Sequence, residues 1–523
     1  MGAGVDQDIR IEGAFKAALE TMEHTGKNLF ITGKAGTGKS TLLQYFRDTT
    51  KKNVAVIAPT GVAALNVKGQ TIHSFFGFRP NTIIEDITRL SPRKSQKYKK
   101  LDAIVVDEIS MVRADLLDCI NHFMKLNGRD QNAPFGGVQM IFIGDLYQLP
   151  PIVTRREQGM FRKHYKSEYF FDADAFGGFD AEFIELDKHY RQSDAHFIEL
   201  LNAVRNNTAD DRHIAALNSR FDSGLDPGKA SGYITLVTTN ELADRINSAN
   251  LARLEGKAHM YAADVEGSFD NGYMPAEEEL EIKAGAQVML LNNDKYKRWV
   301  NGSVGVVTAI NKGGEGNGED TISVRLSDGS EVDVERYRWE LTRFAYEEGS
   351  GRLIPEVIGS FVQYPVMLAW AITVHKSQGK TFDKVIIDVS SGIFANGQLY
   401  VALSRCRTLE GIVLKKKLEK KHIRTDWRVI KFLTRYQYGR SDRSMPLKAK
   451  VETIKASIAA GKRLEIVYLK ANDEKSRRIV KPIKVGNFEY LGKEYLGMQG
   501  FDSKRQKESN FRVDRILELR TAD

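Results

Sequence analysis

Residues 33–40, Gly-Lys-Ala-Gly-Thr-Gly-Lys-Ser, constrain the fold of this chain more than any other stretch of its sequence. They follow a short apolar run, 29–31, and precede a segment, 41–48, whose apolar residues have helical spacing. Glycines let backbone amides turn around a phosphate, and a following helix directs its N-terminal amides at the same anion. The order strand, loop, helix therefore predicts a nucleoside triphosphate site. In such a site Lys39 contacts the β- and γ-phosphates and Ser40 binds Mg²⁺. The alternative is a glycine-rich turn without a ligand.

Composition and length describe an ordinary globular protein. The 523 residues are 42% hydrophobic and 28% charged, and they are numerous enough for three or four domains. We expect no membrane partner, because no apolar run approaches the length of a membrane span. We expect a cytoplasmic location, because residues 1–8 resemble neither a signal peptide nor a transit peptide. Cys119 and Cys406 are too few for a disulfide framework or a metal site, which fits a reducing compartment.

The net charge of +9 is unevenly distributed along the chain. Residues 411–440 carry +8 and residues 441–523 carry +7, so residues 1–410 are net acidic. A polyanion-binding tail is one interpretation of this excess. A solvated, lysine-rich surface is the other, and charge alone does not decide between them.

Short apolar runs alternate with helical patterns in two separate parts of the chain, which predicts two parallel-sheet α/β domains. Strands are predicted at 54–58, 103–106, 140–143, 234–237, 384–389 and 411–414, and helices at 114–126, 240–255 and 396–405. Between 285 and 363, short alternating runs and turn signals predict a small antiparallel insertion. Residues 441–446 look like a linker. Beyond it we predict a helix at 448–460 and strands at 464–469, 478–485, 495–500 and 511–513.

Two acids and a glutamine follow predicted buried strands of the first domain. Asp107 and Glu108 come at the carboxyl end of one strand, where open α/β sheets bind ligands. Asp107 could hold Mg²⁺ through water, and Glu108 could polarise the attacking water. Gln148, in Gly-Asp-Leu-Tyr-Gln-Leu-Pro-Pro, could contact the γ-phosphate and report its loss.

Two arginines are candidates for the charge that phosphoryl transfer requires. Arg191 lies in His-Tyr-Arg-Gln-Ser-Asp, and Arg405 lies in the predicted helix that contains Tyr-Val-Ala-Leu-Ser-Arg-Cys-Arg. A cation placed on the equatorial phosphate oxygens can accelerate hydrolysis by roughly 10³- to 10⁵-fold. The alternative for each arginine is a surface ion pair.

Three further segments offer hydrogen-bond donors suited to a phosphodiester chain. Residues 373–377 include His375, Lys376 and Ser377, and residues 58–64 and 70–76 combine hydroxyls with a backbone turn and aromatic rings on which bases could stack. Each segment could equally be a capped loop over a core.

Together these motifs resemble superfamily-one DNA helicases of the B type, which move 5′ to 3′. Residues 113–139, which include Pro-Phe-Gly-Gly, are similar to the signature segment of the Pif-one (petite integration frequency) helicases. The resemblance covers roughly residues 10–440. It implies an ATP-dependent 5′-to-3′ DNA helicase that unwinds duplex, forked or otherwise structured DNA from single-stranded DNA, with roles in replication, repair and recombination. A RecD-like motor in a nuclease complex is disfavoured by residues 113–139. A nucleic-acid-binding regulator with a slow ATPase remains a second hypothesis.

The resemblance also implies a domain plan of the α/β class. A first RecA-like domain spans 1–190 with a wedge insertion at 78–100, and a second spans 191–440 with a Src-homology-three-like all-β insertion at 296–363. A linker at 441–447 then leads to residues 448–523. These resemble a WYL domain, an Sm-like β-barrel, with Val467-Tyr468-Leu469 at the naming tripeptide. The resemblance implies a regulatory domain that binds nucleic acid or a nucleotide-like ligand. The alternative is a docking or oligomerisation module.

Site residues follow from the family motifs, with ATP and Mg²⁺ as cofactors. The implied catalytic residues are Lys39, Glu108, Gln148, Arg191 and Arg405. The implied ATP-binding residues are Gly33, Ala35, Gly36, Thr37, Gly38, Lys39, Ser40, Thr41, Gln378 and Gly379, and the metal ligands are Ser40 and Asp107. The implied DNA-binding residues are Thr60, Gly61, His73, Thr239, His375, Lys376 and Ser377. One departure concerns the base: relatives carry a glutamine about twenty residues before the phosphate loop, but 11–26 contain none and Gln7 is the nearest. Adenine selectivity is therefore in doubt.

Overall fold

The structure is a computed structural model. It describes residues 11–79, 81–154, 157–177, 179–188, 190–192, 194–226, 232–267, 274–313, 319–347, 349, 352–470, 474–490 and 492–522. The chain divides into two compact units, 1–201 with 210–424 and 202–209 with 425–523. We describe each unit separately.

A six-stranded parallel sheet begins the first unit, with the strand order β3-β2-β4-β5-β1-β6. Its strands are β1 Asn28–Gly33, β2 Val54–Ala58, β3 Gln70–Thr71, β4 Ala103–Val106, β5 Gln139–Ile143 and β6 Ala181–Leu186. These strands are almost wholly buried, as expected of a parallel sheet covered on both faces. The helices are α1 Gly13–His24, α2 Lys39–Thr49, α3 Gly61–Asn66, α4 Ile72–Phe76, α5 Pro92–Lys99, α6 Ala114–Asn127, α7 Gln158–His164 and α8 Asp174–Gly177.

A second parallel sheet has the order β18-β7-β19-β20. Its strands are β7 Ile234–Val237, β18 Ala371–Thr373, β19 Val385–Ile387 and β20 Ile412–Leu414, and the associated helices are α9 Ala195–Arg205, α10 Asp211–Asn218, α11 Asn240–Arg253 and α12 Gln398–Leu403. Helix α12 is shorter than the predicted 396–405, because Gly397 caps its N-terminus in a left-handed conformation with a φ angle of 74°. The two sheets confirm the predicted α/β class with paired RecA-like cores.

An all-β insertion separates β7 from β18 in the second domain. Its sheets have the orders β14-β13-β12-β11-β17, β15-β16-β9 and β10-β8, all antiparallel. The strands are β8 His259–Ala262, β9 Asp264–Gly267, β10 Glu279–Ile282, β11 Gln287–Leu290, β12 Val304–Asn311, β13 Thr321–Leu326, β14 Glu331–Val334, β15 Tyr337–Glu347, β16 Arg352–Gln363 and β17 Val366–Leu368. The insertion therefore begins earlier than either predicted start, because the exposed strands β8 and β9 lack an apolar run.

The long β15–β16 hairpin packs against the first domain. The Gln70 side chain donates to the Thr342 carbonyl, and the Phe75 and Phe344 rings meet edge to face with centroids 6.2 Å apart. Nearer the turn of the hairpin, Leu353 N donates to Asn53 Oδ1 over 3.3 Å. The hairpin thereby joins the insertion to the first sheet.

The second unit contains a five-stranded antiparallel sheet with the order β24-β23-β22-β21-β25. Its elements are α13 Trp427–Ser444, α14 Leu447–Ala459, β21 Arg463–Leu469, β22 Lys475–Tyr490, β23 Lys493–Asp502, β24 Lys507–Arg512 and β25 Ile516–Ala522. The predicted linker is wrong for residues 441–444, which form the last turn of α13. Ser441 is buried there and its hydroxyl bonds to the carbonyl of Leu517 over 2.7 Å.

Within the described ranges, no helix has both the length and the apolar content needed to cross a membrane.

Candidate active site

The phosphate loop connects β1 to α2. Leu29, Phe30 and Ile31 are fully buried, which fixes the strand in the sheet core and places the loop at its carboxyl end. Gly36 and Gly38 have φ angles of 79° and 86°, a left-handed conformation that other residues rarely adopt. The loop can therefore turn its amides inward.

The lysine of the loop is held by the loop itself. Lys39 Nζ donates to the carbonyl oxygens of Gly33 and Lys34, over 2.7 and 3.0 Å. Lys39 is also the first residue of α2, so its ammonium group and the helix N-terminus lie on the same side of the cleft.

The acid pair follows β4, two strands from β1 in the sheet. Burial raises the pKa of Asp107 to about 7, and the neighbouring Glu108 carboxylate acts in the same direction. Burial also raises the pKa of Glu108, while the positive charges of Lys39 and Arg405 oppose the shift. Glu108 thus combines a raised pKa with two nearby cations, the environment expected of a group that must accept a proton.

Gln148 connects the two sheet domains. Its side-chain oxygen accepts a hydrogen bond from Gln378 Nε2 over 3.3 Å, and its nitrogen donates to Asp145 Oδ2 over 3.4 Å. Gln148 follows β5 in the first domain, and Gln378 follows β18 in the second. One hydrogen bond therefore links the segment after β5 to the segment after β18 across the cleft.

Both predicted arginines face the same cleft. Arg405 is 2% exposed, and its guanidinium donates to Val401 O, Lys380 O and Ser404 Oγ over 3.0, 3.3 and 2.8 Å. Arg191 donates to Ser404 O over 3.3 Å. Burial lowers the pKa of Arg405 to about 9, helped by the nearby Arg191, and burial lowers the pKa of Arg191. Two positively charged side chains therefore lie close together in this cleft.

Tyr400 is a site residue that sequence reasoning missed. Its hydroxyl accepts a hydrogen bond from Ala35 N over 2.9 Å and lies 3.3 Å from Asp145 Oδ2, to which it can donate. The tyrosine belongs to α12 in the second domain, whereas Ala35 belongs to the phosphate loop. Its position five residues before Arg405 in one motif was the available signal.

Tyr190 also lies beside the phosphate loop. Its backbone N–H donates to Gly36 O over 2.8 Å, and its side chain is 54% exposed. A Cβ on Gly36 would lie 2.5 Å from Arg191 Cβ, so the loop and this segment fit together only with glycine there. The sequence placed Tyr190 next to Arg191 but gave no sign of this contact.

The phosphate loop, Glu108, Gln148 and the two arginines line one cleft of about 590 Å³, a volume within the range of small-molecule and cofactor sites. The lining residues are Ala35, Gly36, Thr37, Gly38, Lys39, Ser40, Thr41, Glu108, Gln148, Tyr190, Arg191, Gly379, Thr381, Arg405 and Arg407. Three predicted residues, Gly33, Asp107 and Gln378, are adjacent to this lining and do not form part of it.

Mg²⁺ fits the oxygen donors at this position. Ser40 supplies a hydroxyl at the start of α2 and Asp107 a carboxylate at the end of β4. Across the described residues there is no group of three or more His, Cys, Asp or Glu side chains that could hold a metal. Mg²⁺ commonly takes most of its ligands from substrate phosphates and water, so one hydroxyl and one carboxylate fit it.

The predicted DNA-facing residues lie at the carboxyl ends of neighbouring strands. Thr60 and Thr239 are N-caps, accepting from Ala63 N and Leu242 N over 3.3 and 3.4 Å. His73 is on α4 and is partly buried, and burial lowers its pKa. Because β2 pairs with β3 and β7 with β18, each domain gathers its set at one sheet edge. Gly61 begins α3 beside Thr60.

Residues 375–377 differ in exposure. Lys376 is exposed and His375 is partly buried, and burial lowers the pKa of His375. Ser377 does not match the prediction, because its side chain is fully buried and its hydroxyl donates to Val374 O over 2.7 Å. The hydroxyl stabilises the turn that presents Lys376.

The second unit has a separate aromatic and basic cluster. The Tyr468 hydroxyl accepts from Arg512 N over 3.4 Å, and its ring contacts Phe511. The Arg512 guanidinium lies 5.6 Å from the centre of the Tyr495 ring and pairs with Asp514 over 2.7 Å. Val467 occupies the tryptophan position of the tripeptide on β21.

A phosphate loop at the end of one parallel sheet and an arginine, Arg405, that reaches the same cleft from beside a second parallel sheet define a class, the phosphate-loop NTPases with paired RecA-like domains. The comparisons with known proteins then narrow this class. Family models match for the PIF1-like helicase at residues 10–213, the UvrD-like helicase C-terminal domain at 368–413 and the WYL domain at 449–521.

Relatives and solved structures agree with these matches. The ATP-dependent DNA helicase Pif1 of Psychrobacter sp. (strain PRwf-1) is 33% identical over 453 residues, covering 76% of this chain and 67% of that protein. The crystal structure of Bacteroides sp Pif1 in complex with ADP-AlF4 is 37% identical with a TM-score of 0.74, covering 82% and 97% of the two chains. Bacteroides Pif1 bound to ssDNA is 37% identical with a TM-score of 0.59, covering 81% and 96%. The chain belongs to the PIF1-like helicase family, which confirms the predicted resemblance.

Proposed function

We propose that this chain uses ATP hydrolysis to move 5′ to 3′ along single-stranded DNA and to unwind the duplex ahead of it. Membership of the PIF1-like family makes it an ATP-dependent DNA helicase. The observation that supports the mechanism best is the shared cleft, in which Lys39 and Glu108 of one domain face Arg191 and Arg405 of the other. A motor needs such a split site because nucleotide binding must move one domain relative to the other.

Each cleft residue has a proposed part in hydrolysis. Lys39 leaves its carbonyl partners and contacts the β- and γ-phosphates, while amides 35–41 surround them. Glu108 accepts the proton of the attacking water. Arg191 and Arg405 neutralise charge on the transferred phosphoryl group. Ser40 and Asp107 are the residues that would hold Mg²⁺, which would supply positive charge to the triphosphate.

We propose that ATP hydrolysis is coupled to movement along DNA through hydrogen bonds between the domains. The bonds from Gln378 to Gln148 and from Ala35 to Tyr400 join the phosphate loop region to the second domain. The arrangement in Bacteroides Pif1 bound to ssDNA resembles this chain less than the arrangement with ADP-AlF4 does, with TM-scores of 0.59 and 0.74. The unliganded Bacteroides structure also has a TM-score of 0.74, so this difference supports a rearrangement of the domains when DNA binds.

Single-stranded DNA is proposed to cross the carboxyl ends of both sheets. Thr60, Gly61 and His73 would contact it from the first domain, and Thr239, His375 and Lys376 from the second. Ser377 would act through the turn it stabilises. We also propose that the chain unwinds forked or structured DNA and that it works in replication, repair or recombination.

The WYL domain is proposed to bind nucleic acid or a nucleotide-like ligand and to regulate the motor. The excess of lysine and arginine after residue 440 supports the first alternative. A cytoplasmic location stays a prediction. Adenine selectivity also stays open, because Gln7 lies outside the described residues; ATP and GTP turnover measured side by side would settle it.

The test of the proposal is stimulation of ATP turnover by single-stranded DNA. We expect a large stimulation by oligo(dT), lost in Glu108→Gln while a fluorescent ATP analogue still binds. Absence of stimulation, with tight DNA binding through the tail, would instead support a nucleic-acid-binding regulator.

A further inference from the structure

A loop of the insertion presents an exposed aromatic ring among cations. Residues 292–303, which connect β11 to β12, read Asn-Asn-Asp-Lys-Tyr-Lys-Arg-Trp-Val-Asn-Gly-Ser. Tyr296 is 69% exposed, the same fraction as the most exposed large apolar side chains of the described residues. Lys295 Nζ lies 4.8 Å from the centre of its ring, and Arg298 Cζ lies 5.5 Å from it. Tyr296 therefore lies outside the core of the insertion, beside two cations.

The loop is held in one shape by its own hydrogen bonds. Asp294 accepts from the backbone amides of Tyr296 and Arg298 over 2.8 and 3.1 Å, and it pairs with the Arg298 guanidinium over 2.8 Å. Trp299 is buried, and its indole N–H donates to Asn292 Oδ1 over 2.9 Å. These bonds hold the backbone at Tyr296, so the loop itself loses little conformational entropy when a ligand stacks on the ring.

The position of the loop connects it to the proposed DNA path. Asn301 Nδ2 donates to Asn66 Oδ1 over 3.2 Å, and the Asn301 oxygen accepts from Lys380 Nζ. Asn66 is the last residue of α3, the helix that Thr60 caps. Lys380 follows the segment that presents Lys376. The Asn301 end of the loop therefore contacts the helix that Thr60 caps and the residue four positions after Lys376.

We infer that loop 292–303 is a further contact for single-stranded DNA, in which a base stacks on Tyr296 and Lys295 lies near a phosphate. The inference rests on the proposed function, because it adds a residue to a strand path that the motif residues define only in part. Base stacking on an aromatic ring is tolerant of sequence, as a translocating enzyme requires. Arg298 is engaged by Asp294, so its part is to hold the loop and to add positive potential.

Tyr296→Ala tests this inference in the full-length protein. We expect its dissociation constant for oligo(dT) to rise about fivefold to hundredfold, the range for loss of one stacked base. Tyr296→Phe should bind like the unaltered chain, because stacking needs the ring and not the hydroxyl. Tyr337→Ala, which removes a 39% exposed tyrosine from β15 of the same insertion, is the matched control and should also bind normally.

A second measurement does not depend on how the variants fold. Oligonucleotides carrying 5-iodouracil at successive positions should cross-link to Tyr296 of the unaltered chain at one position, identified by mass spectrometry. Binding of Tyr296→Ala within twofold of the unaltered chain, together with no cross-link at Tyr296, would overturn the inference and leave the proposed function intact. Failure of the unaltered chain to bind oligo(dT) would overturn both.

Discussion

Replacing Arg405 with alanine should affect the rate of ATP hydrolysis much more than the free energy of unfolding. The guanidinium makes three hydrogen bonds in the structure, each worth roughly 1.5–3 kcal/mol because the donor is charged. Against these stands the cost of keeping a cation that is 2% exposed, which the substitution removes. We therefore expect the free energy of unfolding to change by less than about 2 kcal/mol.

The effect on turnover should be much larger. An arginine that neutralises the transferred phosphoryl group is worth about 10³- to 10⁵-fold in kcat, or roughly 4 to 7 kcal/mol of the activation barrier. Binding of an ATP analogue should weaken by less than about tenfold, because the arginine acts mainly in the transition state. Arg405→Lys should lose most of the rate too, since a lysine ammonium cannot reproduce the guanidinium fork.

The assay is DNA-stimulated phosphate release at saturating ATP and oligo(dT), beside urea unfolding of the same preparations. Arg253→Ala is the control, because this arginine pairs with Asp226 on the surface and its side chain is 65% exposed. A kcat for Arg405→Ala within tenfold of the unaltered chain, with a normal unfolding curve, would refute the assignment.

Three further substitutions probe contacts that the structure defines. Tyr400→Phe leaves the buried Ala35 N–H without its hydroxyl acceptor and should lower the free energy of unfolding by about 1–3 kcal/mol; a change below about 0.3 kcal/mol in urea denaturation would count against that bond. Burial, with Arg343 nearby, lowers the pKa of Lys97 from 10.5 to about 8 in the folded chain. Because the unfolded chain then binds more protons, the free energy of unfolding should rise as the pH rises from 8 toward 10.5. Lys97→Met should reduce that rise in urea titrations at pH 7.5 and 9.5. Arg478→Met removes the ion-pair partner of Asp502, whose side chain is 0% exposed and lies 2.8 Å from Arg478. The free energy of unfolding should fall by about 3–5 kcal/mol in urea denaturation, and an unchanged midpoint would contradict this.

The sequence predicted the parts of the site that local chemistry dictates. The phosphate loop needs glycines at left-handed positions, so Gly36 and Gly38 were recognisable from spacing alone. Buried parallel strands read as continuous apolar runs, and β2, β4 and β7 lie where the pattern placed them. Glu108 was predictable because it ends such a run.

Contacts between segments far apart in the sequence could not be predicted from local sequence patterns. Ala35 and Tyr400 are 365 residues apart, and nothing local to either residue indicates that they meet. The burial of Ser377 depends on the turn that Val374 completes, whereas its sequence context suggested an exposed donor. The last turn of α13 looked like a linker because it contains serines and charged residues, yet Ser441 is buried against β25.

Strand displacement in a single turnover tests the central claim most directly. Duplexes with a 5′ or a 3′ single-stranded tail would be mixed with the unaltered chain or Glu108→Gln, and started with ATP and Mg²⁺ in the presence of a trap strand. We expect the unaltered chain to displace the strand from the 5′-tailed duplex only, and Glu108→Gln to displace neither while still binding both. Equal displacement from 3′-tailed duplexes, or displacement by Glu108→Gln, would contradict the proposed direction or the proposed catalytic role.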